Sequence, residues 1–428
     1  MTYQETLAYL YQQLPVFHLA GKQAYKPGLL TTEILLEHLG NPHRKFKTIH
    51  VAGTNGKGSS SHMLSAILQE AGYKTGLYTS PHLKDYTERF KINGVAIDPE
   101  RVVAFVEENR MFIQSVTPSF FELSVALAFY EFARQEVDIA VIEVGMGGRL
   151  DSTNVIVPEV ALITNIGWDH ADVLGDTLPK IAAEKAGIMK AGVPVVISER
   201  QPETNEVFHA KADVLGAPLT FASDLYTVQT EVIKAGKKVL TIESMEAIQT
   251  IELDLLGSYQ AKNVLGVLET TRVLTQLGYE ITQEHTRRAL AQVVSLTGLK
   301  GRWQQLSTQP LTYADTGHNE PGIREVFKTI ASINYQHLWF VLGFVADKDL
   351  SKILPLYPTQ ARYVFCQAST PRALPAEALK KLAAKYGLSG ETIPDVNEAL
   401  AYVRAQAEVR DLIVVGGSTF VVADLNEL

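Results

Sequence analysis

Val51-Ala52-Gly53-Thr54-Asn55-Gly56-Lys57-Gly58-Ser59 is the stretch that decides the fold. Apolar Ile49 and Val51 lead into a glycine-rich turn, and Ser60 to Ala71 then read as a helix, so strand, turn and helix meet at one lysine. Such a junction cradles phosphate. Its three glycines let backbone N–H groups approach an anion, and the helix start adds the positive end of its dipole. Lys57 can reach terminal phosphates, and Ser59 can face a magnesium ion. A nucleoside triphosphate is the expected ligand. The spacing departs from the common P-loop, because Val51 stands where the first glycine is expected and Gly58 separates Lys57 from Ser59. A plain glycine-rich turn between strand and helix is the alternative.

Working outward, 428 residues exceed one ordinary core, so two domains are expected. The single cysteine, Cys366, excludes an internal disulfide framework and a cysteine-rich zinc site; it fits a reducing cytosol, and a cytoplasmic protein is expected. Met1-Thr2-Tyr3-Gln4-Glu5 lacks a basic segment followed by an apolar core, and no run of about 18 apolar residues occurs, which predicts neither export nor a membrane span. A net charge of −8, with both signs mixed along the chain, argues against a broad nucleic-acid surface. An anionic substrate therefore needs a locally basic pocket.

From Thr48 to about Ser198, apolar runs alternate with helical stretches: Ile139 to Ile142, Val160 to Ile163 and Val193 to Ile197. Fully apolar strands separated by helices predict a parallel sheet covered on both faces. Tyr226 to Leu255 changes to alternation, with Ala235-Gly236-Lys237 as the turn of an antiparallel hairpin. Helices are expected at Ala261 to Leu277 and Thr286 to Val294, followed by a linker from Ser295 to Gly301. A second alternation follows. Strands are read at Leu311 to Ala314, Leu338 to Leu342, Tyr363 to Cys366 and Leu412 to Val415, and helices at Ile323 to Ile330, Ala376 to Tyr386 and Asn397 to Ala407. The fold class is thus α/β: a P-loop NTPase-like doubly wound sheet with a small antiparallel hairpin region in residues 1–296, and a smaller Rossmann-like domain in 297–428.

Chemistry concentrates at the predicted strand ends. Glu143 closes an apolar strand and is followed by a glycine-rich segment through Arg149, Asp151 and Asn154, which places a carboxylate at the same sheet edge as the phosphate loop. It can hold magnesium directly or through water, or it can cap a helix beside an ordinary turn. The strand Val160 to Thr164 ends in Asn165-Ile166-Gly167-Trp168-Asp169-His170. His170 is a candidate metal ligand, although magnesium prefers oxygen and a hydrogen-bonding core histidine is the plainer reading. Thr79-Ser80-Pro81-His82 offers a further hydroxyl, or merely a turn. Lys185 reads as near a helix end, where a solvated lysine is the default. Asp315-Thr316-Gly317-His318-Asn319 follows a strand and precedes a helix, which suits a ligand site or an Asx turn with an N-cap. Arg372, in Thr370-Pro371-Arg372-Ala373-Leu374-Pro375, offers a fork of donors for a carboxylate.

Together these segments resemble the folylpolyglutamate synthase and dihydrofolate synthase family, the two-domain branch of the Mur ligases. The resemblance spans nearly the whole chain. It is carried by Gly53 to Ser59, Tyr78 to Leu83, Glu143 to Asn154, Asp169-His170, Glu184 to Ile188, Gly301-Arg302-Trp303 and Asp315 to Asn319, in order, and the unusual phosphate-loop spacing is the family's own. It implies that Thr54, Asn55, Gly56, Lys57, Gly58 and Ser59 hold ATP, with Asn263, Arg302 and Asp315 also contacting it. It implies magnesium at Ser80, Glu143 and His170, and it matches Lys185 to a lysine that is carbamylated in the family. The pterin is implied near Lys26-Pro27-Gly28, Ser119-Phe120-Phe121-Glu122 and Leu150-Asp151-Ser152, of which the first two segments match more loosely. Thr316-Gly317 replaces the Gly-Ala or Val-Ala of many members, leaving Asp315 and His318 in place.

The reaction implied is ATP-dependent amide formation. The carboxylate of dihydropteroate, of a folate, or of both attacks the γ-phosphate near Lys57 and magnesium, and the amine of L-glutamate then displaces phosphate from the acyl phosphate. Closure between the domains keeps water out, and His318 and Arg372 are candidates for placing glutamate. The partners are then small molecules, with no nucleic acid or membrane and a monomeric enzyme. Folylpolyglutamate synthesis alone remains an alternative. A muramyl-peptide ligase shares the loop and the reaction type but carries a further N-terminal domain, for which the 47 residues before Thr48 are too short. A P-loop switch would turn over without an acceptor amine, and a small-molecule kinase would leave a stable phosphorylated product.

Overall fold

The structure, a computed structural model, describes residues 1–16, 28–245 and 247–428. The chain forms two compact units, one of Met1–Asp254 with Gln260–Leu299 and one of Leu255–Tyr259 with Lys300–Leu428. The division falls three residues beyond the expected 296/297 boundary, and the short stretch Leu255–Tyr259 goes to the second unit.

The first unit is built on β1 (Lys47–Ala52), β2 (Thr75–Tyr78), β3 (Phe90–Ile92), β4 (Val95–Ala96), β5 (Ile139–Glu143), β6 (Val160–Ile163), β7 (Val195–Ile197) and β8 (Leu219–Phe221). They form one sheet in the order β4-β3-β2-β5-β1-β6-β7-β8. Strands β2, β5, β1, β6, β7 and β8 run parallel, while β3 and β4 turn back antiparallel at one edge. Apolar side chains on both faces of the central strands explain this burial. One face packs Ala140 and Ile142 against Phe105, Phe129 and Phe132, and the other packs Ala52, Ala161 and Ile163 against Ile181 and Phe208. β9 (Tyr226–Lys234), β10 (Lys237–Ser244) and β11 (Ile248–Leu253) form a separate antiparallel sheet, so the expected hairpin has a third strand. Ala235 and Gly236, at φ 50° and 74°, make its tight turn.

The second unit holds β12 (Gln304–Thr308), β13 (Leu311–Asp315), β14 (Leu338–Leu342), β15 (Arg362–Phe365), β16 (Gly390–Thr392) and β17 (Leu412–Gly416), ordered β12-β13-β17-β14-β15-β16. Among these strands β12 pairs antiparallel and the others parallel. Its core gathers Trp303, Phe340, Tyr357, Tyr363 and Phe365. Two expectations need correction here. Thr286 to Val294 is not one helix but two, Gln283–Leu290 and Val293–Thr297, and the second takes in the first residues of the expected linker. Gly298, at φ 64°, ends it with a left-handed cap, and the linker proper starts there.

Candidate active site

At the carboxyl end of β1 the chain makes a four-residue turn, and the helix starts at Lys57 rather than at Ser60. Gly56 caps it at φ 84°, a conformation that aims the first-turn N–H groups of Lys57, Gly58 and Ser59 outward without intrahelical acceptors. That is an anion site. Gly53 (φ 148°) and Gly56 admit no side chain: a Cβ at the first would overlap Thr164 Oγ1, and at the second Asn263 Oδ1. The loop is sewn to the segment following β6, since Thr54 N donates to Asn165 O (2.9 Å), Asn55 N to Asn165 Oδ1 (3.0 Å) and Gly167 N to Thr54 Oγ1 (2.9 Å). Asn263 lies on helix Gln260–Gln276, and its neighbour Gln260 donates from Nε2 to Ser59 Oγ (3.1 Å). The same helix therefore backs the turn at Gly56 and Ser59.

Two lysines converge on one carbonyl of this loop. Lys57 Nζ donates to Gly53 O and Thr54 O, each at 3.1 Å, and Lys185 Nζ donates to Gly53 O at 3.0 Å. Lys185 is buried, which replaces the default of a solvated helix lysine. Burial first, and the Lys57 charge second, lower its pKa from 10.5 to about 7. An amine that is half neutral near neutrality is a nucleophile toward carbon dioxide.

Glu143 ends β5 only 5% exposed, and its Oε2 accepts from Ser80 N at 3.1 Å. Ser80 follows β2, the neighbour of β5, so strand order alone sets Ser80, Glu143, the phosphate loop and the Asn165–His170 loop side by side along one sheet edge. His170 lies on that last loop at φ 50°, with its imidazole 37% exposed and Nε2 4.0 Å from Asp169 Oδ2. Among the described residues no group of three or more His, Cys, Asp or Glu is assembled to grip a metal ion. A hydroxyl, one buried carboxylate and an imidazole at neighbouring strand ends nonetheless fit magnesium, which commonly takes few protein ligands and completes its shell with phosphate oxygens and water.

Of the segments matched to the pterin, Lys26 and Pro27 lie outside the described residues; Gly28 has φ 132°. Ser119 and Glu122 form a reciprocal capping box on helix Phe120–Arg134, with Ser119 N donating to Glu122 Oε2 (2.6 Å) and Glu122 N to Ser119 Oγ (3.1 Å). Phe120 packs against Tyr86 with ring centroids 4.9 Å apart, while Phe121 covers Gly145 and leaves no room for a Cβ there. Asp151 is the hub of the glycine-rich loop. Its Oδ2 accepts from Met146 N (2.9 Å) and its Oδ1 from Thr153 N (3.0 Å) and Thr153 Oγ1 (2.5 Å), while burial pushes its pKa up. Ser152, also buried, starts the short 3-10 turn that follows, and Leu150 is half-buried.

Comparison with known proteins agrees with this geometry. The model of the Mur ligase middle domain matches residues 51–271, and that of the Mur ligase glutamate ligase domain matches residues 301–419. A dihydrofolate synthase/folylpolyglutamate synthase of Bacillus subtilis (strain 168) is 30% identical over 436 residues, covering 99% of this chain and 98% of its own. This chain belongs to the folylpolyglutamate synthase/dihydrofolate synthase family of the Mur ligases. Among solved structures, Mycobacterium tuberculosis folylpolyglutamate synthase complexed with ADP and AMPPCP superposes with a TM-score of 0.87 at 32% identity, covering 99% of this chain and 97% of that one. E. coli FolC in complex with DHPP and ADP gives 0.85 at 26% identity, covering 99% and 96%. The protein is an ATP-dependent ligase, with ATP as co-substrate and small molecules as substrates. Among its described residues no helix is long and apolar enough to cross a membrane.

In the second unit of the ligase, Asp315 ends β13 with both oxygens engaged. Oδ2 accepts from Tyr259 OH (2.7 Å) and Trp303 N (2.8 Å), and Oδ1 from Gly317 N (2.7 Å). Burial raises its pKa. Arg302 donates to Thr316 Oγ1 and Gly301 O, and His318 Nδ1 lies 3.0 Å from Thr316 O. Asn319 caps helix Glu320–Ala331. Arg372 sits in its turn with one guanidinium nitrogen 2.5 Å from Asp347 Oδ2, so part of its fork is already used within the unit. Sequence reasoning missed the Lys185–Gly53 contact and the support of the phosphate turn by Gln260. No local pattern signals either one, because each joins residues more than a hundred positions apart.

Proposed function

We propose that this ligase joins the carboxylate of dihydropteroate, and of reduced folates carrying glutamate, to the amine of L-glutamate. The observation that carries the reading is the meeting of Lys57 and Lys185 on the Gly53 carbonyl, beside a turn built for phosphate and one strand from the Glu143–Ser80 pair. Cationic and acidic groups so arranged suit transfer of a phosphoryl group. A carboxylate is a poor electrophile in water, and phosphorylation makes its carbon reactive.

In this proposal Thr54 to Ser59 and Asn263 hold ATP, and Arg302 and Asp315 serve the nucleotide as well. Lys57 neutralises the γ-phosphate as the acid attacks it in line, leaving an acyl phosphate and ADP. Ser80, Glu143 and His170 would hold magnesium, which when bound would offset phosphate charge. Lys185 accepts carbon dioxide to become a carbamate, exchanging a cation for an anion near the phosphates. Leu150-Asp151-Ser152 and Ser119 to Glu122, with Lys26-Pro27-Gly28, receive the pteroyl group, and His318 and Arg372 place glutamate. The enzyme acts as a cytoplasmic monomer. Names of bifunctional relatives, such as that of Bacillus subtilis, favour both acids over a folate alone.

The test is ATP-dependent incorporation of labelled glutamate, run separately with dihydropteroate and with a reduced folate. Both acids are expected to take up label. Release of phosphate with no amide from either acid would refute the ligation reading.

A further inference from the structure

Beneath the substrate loop lies a buried histidine that the reaction scheme leaves unused. His50 stands on β1, fully shielded from solvent, with Nε2 2.9 Å from Thr153 Oγ1. Thr153 is equally buried, and its Oγ1 is 2.5 Å from Asp151 Oδ1. The three side chains make one file from the sheet to the loop.

A threonine hydroxyl has a single hydrogen to give. If it goes to Asp151, the carboxylate accepts, and the Thr153 oxygen is left to accept from His50 as the Nε2–H tautomer. If it goes to His50 instead, the ring carries its hydrogen on Nδ1, and Asp151 has to be protonated to bond Thr153. The Nδ1 atom decides between them, because it is buried and has no hydrogen-bond partner among the described residues. Either form of that nitrogen forgoes a bond to water, but a bare ring nitrogen tolerates the setting better than an N–H, the rarer orphan in protein interiors. Burial also keeps the ring neutral at physiological pH, with its pKa lowered to about 3.

We infer that His50 is a positioning residue for the substrate loop: its Nε2–H holds the Thr153 hydroxyl toward Asp151, so that Asp151 stays an acceptor and ties down Met146. Asp151 in turn holds the backbone of the glycine-rich turn beneath Phe121. The inference rests on the reading that the Leu150-Asp151-Ser152 loop receives the pteroyl group.

Steady-state kinetics on the full chain test it with His50→Leu, His50→Gln, Thr153→Val, the Leu/Val double variant and Asp151→Asn. Gln carries an N–H to about the position of the imidazole Nε2. His50→Leu is expected to raise KM for dihydropteroate roughly five- to tenfold, the factor a lost hydrogen bond of ordinary net strength carries. KM for ATP and kcat should stay within about twofold. His50→Gln should restore the pteroyl KM, and the double variant should be no worse than either single one, since the file acts as a unit. Nitrogen-15 spectra of histidine-labelled protein should show His50 as the Nε2–H tautomer, assigned by its loss in His50→Gln. An Nδ1–H tautomer would overturn the inference, and so would equal losses for ATP and pteroyl substrate, or effects of the two single changes that simply add. If Asp151→Asn leaves the pteroyl KM unchanged, the loop assignment itself fails, whereas a sensitive Asp151 with an indifferent His50 sinks the inference alone.

Discussion

Lys185 shows how far single residues can be read. Its motif was visible in the sequence, but the contact that gives it meaning was not: the Gly53 carbonyl it shares with Lys57 lies 132 positions away. Its pKa of about 7 makes two predictions. In the folded protein the amine loses its proton well below the ordinary 10.5, so the unfolded chain binds more protons between those values, and stability of the uncarbamylated enzyme rises as pH climbs from about 7 toward 10.5. Urea titrations at several pH values, made free of carbon dioxide, check this. Activity at limiting bicarbonate should likewise fall as pH drops through about 7, and Lys185→Arg should lose both activity and bicarbonate dependence. Glu143→Ala, which removes the buried carboxylate beside Ser80, should abolish turnover with either acid, as measured by glutamate incorporation. A near-native rate would remove Glu143 from the metal assignment.

Elements were legible where burial left a strong pattern. Strands β5, β6, β14 and β17 are built almost wholly of apolar residues, and their sequences announce it; β1 is buried as deeply but carries Thr48 and His50 on one face. Strands β12 and β16 went unread because they are short and half-exposed at the sheet edges, where side chains need not be apolar. The helix after β1 starts early because Gly56 supplies the left-handed cap, a backbone property that residue periodicity does not register. Helix Phe120–Arg134 poses a different question, since Ser119 and Glu122 were matched to the substrate yet close a capping box. Ser119→Ala should cost about 1 kcal/mol of stability, typical of a lost N-cap, measured by chemical denaturation. An unchanged KM for the pteroyl acid would assign Ser119 to the helix alone. Gly56→Ala should damage the phosphate turn directly, because the left-handed conformation and Asn263 both resist a side chain. ATP affinity, followed by calorimetry, is expected to fall at least tenfold, on the order of the 1–3 kcal/mol that such backbone strain carries.

At the scale of the molecule, the arrangement of strand ends is what brings the candidate site together. The order β2-β5-β1-β6 gathers Ser80, Glu143, the phosphate turn and His170 from four separate stretches of chain onto one edge. For Glu143, the phosphate turn and His170 this followed from apolar strands alternating with helices, because ligands of open α/β sheets lie beyond the carboxyl ends of the strands; for Ser80 it did not, because the short strand β2 before it went unread. Which acid is accepted did not follow, and neither did loop contours such as the contact of Gly145 with Phe121, which no local pattern signals. The central claim is that the ligase activates its acid as an acyl phosphate before glutamate attacks. It is tested most directly with dihydropteroate carrying oxygen-18 in its carboxylate, by mass analysis of the phosphate released as amide forms. The account predicts one labelled oxygen in phosphate for each amide made. Phosphate free of label, with amide still forming, would contradict it.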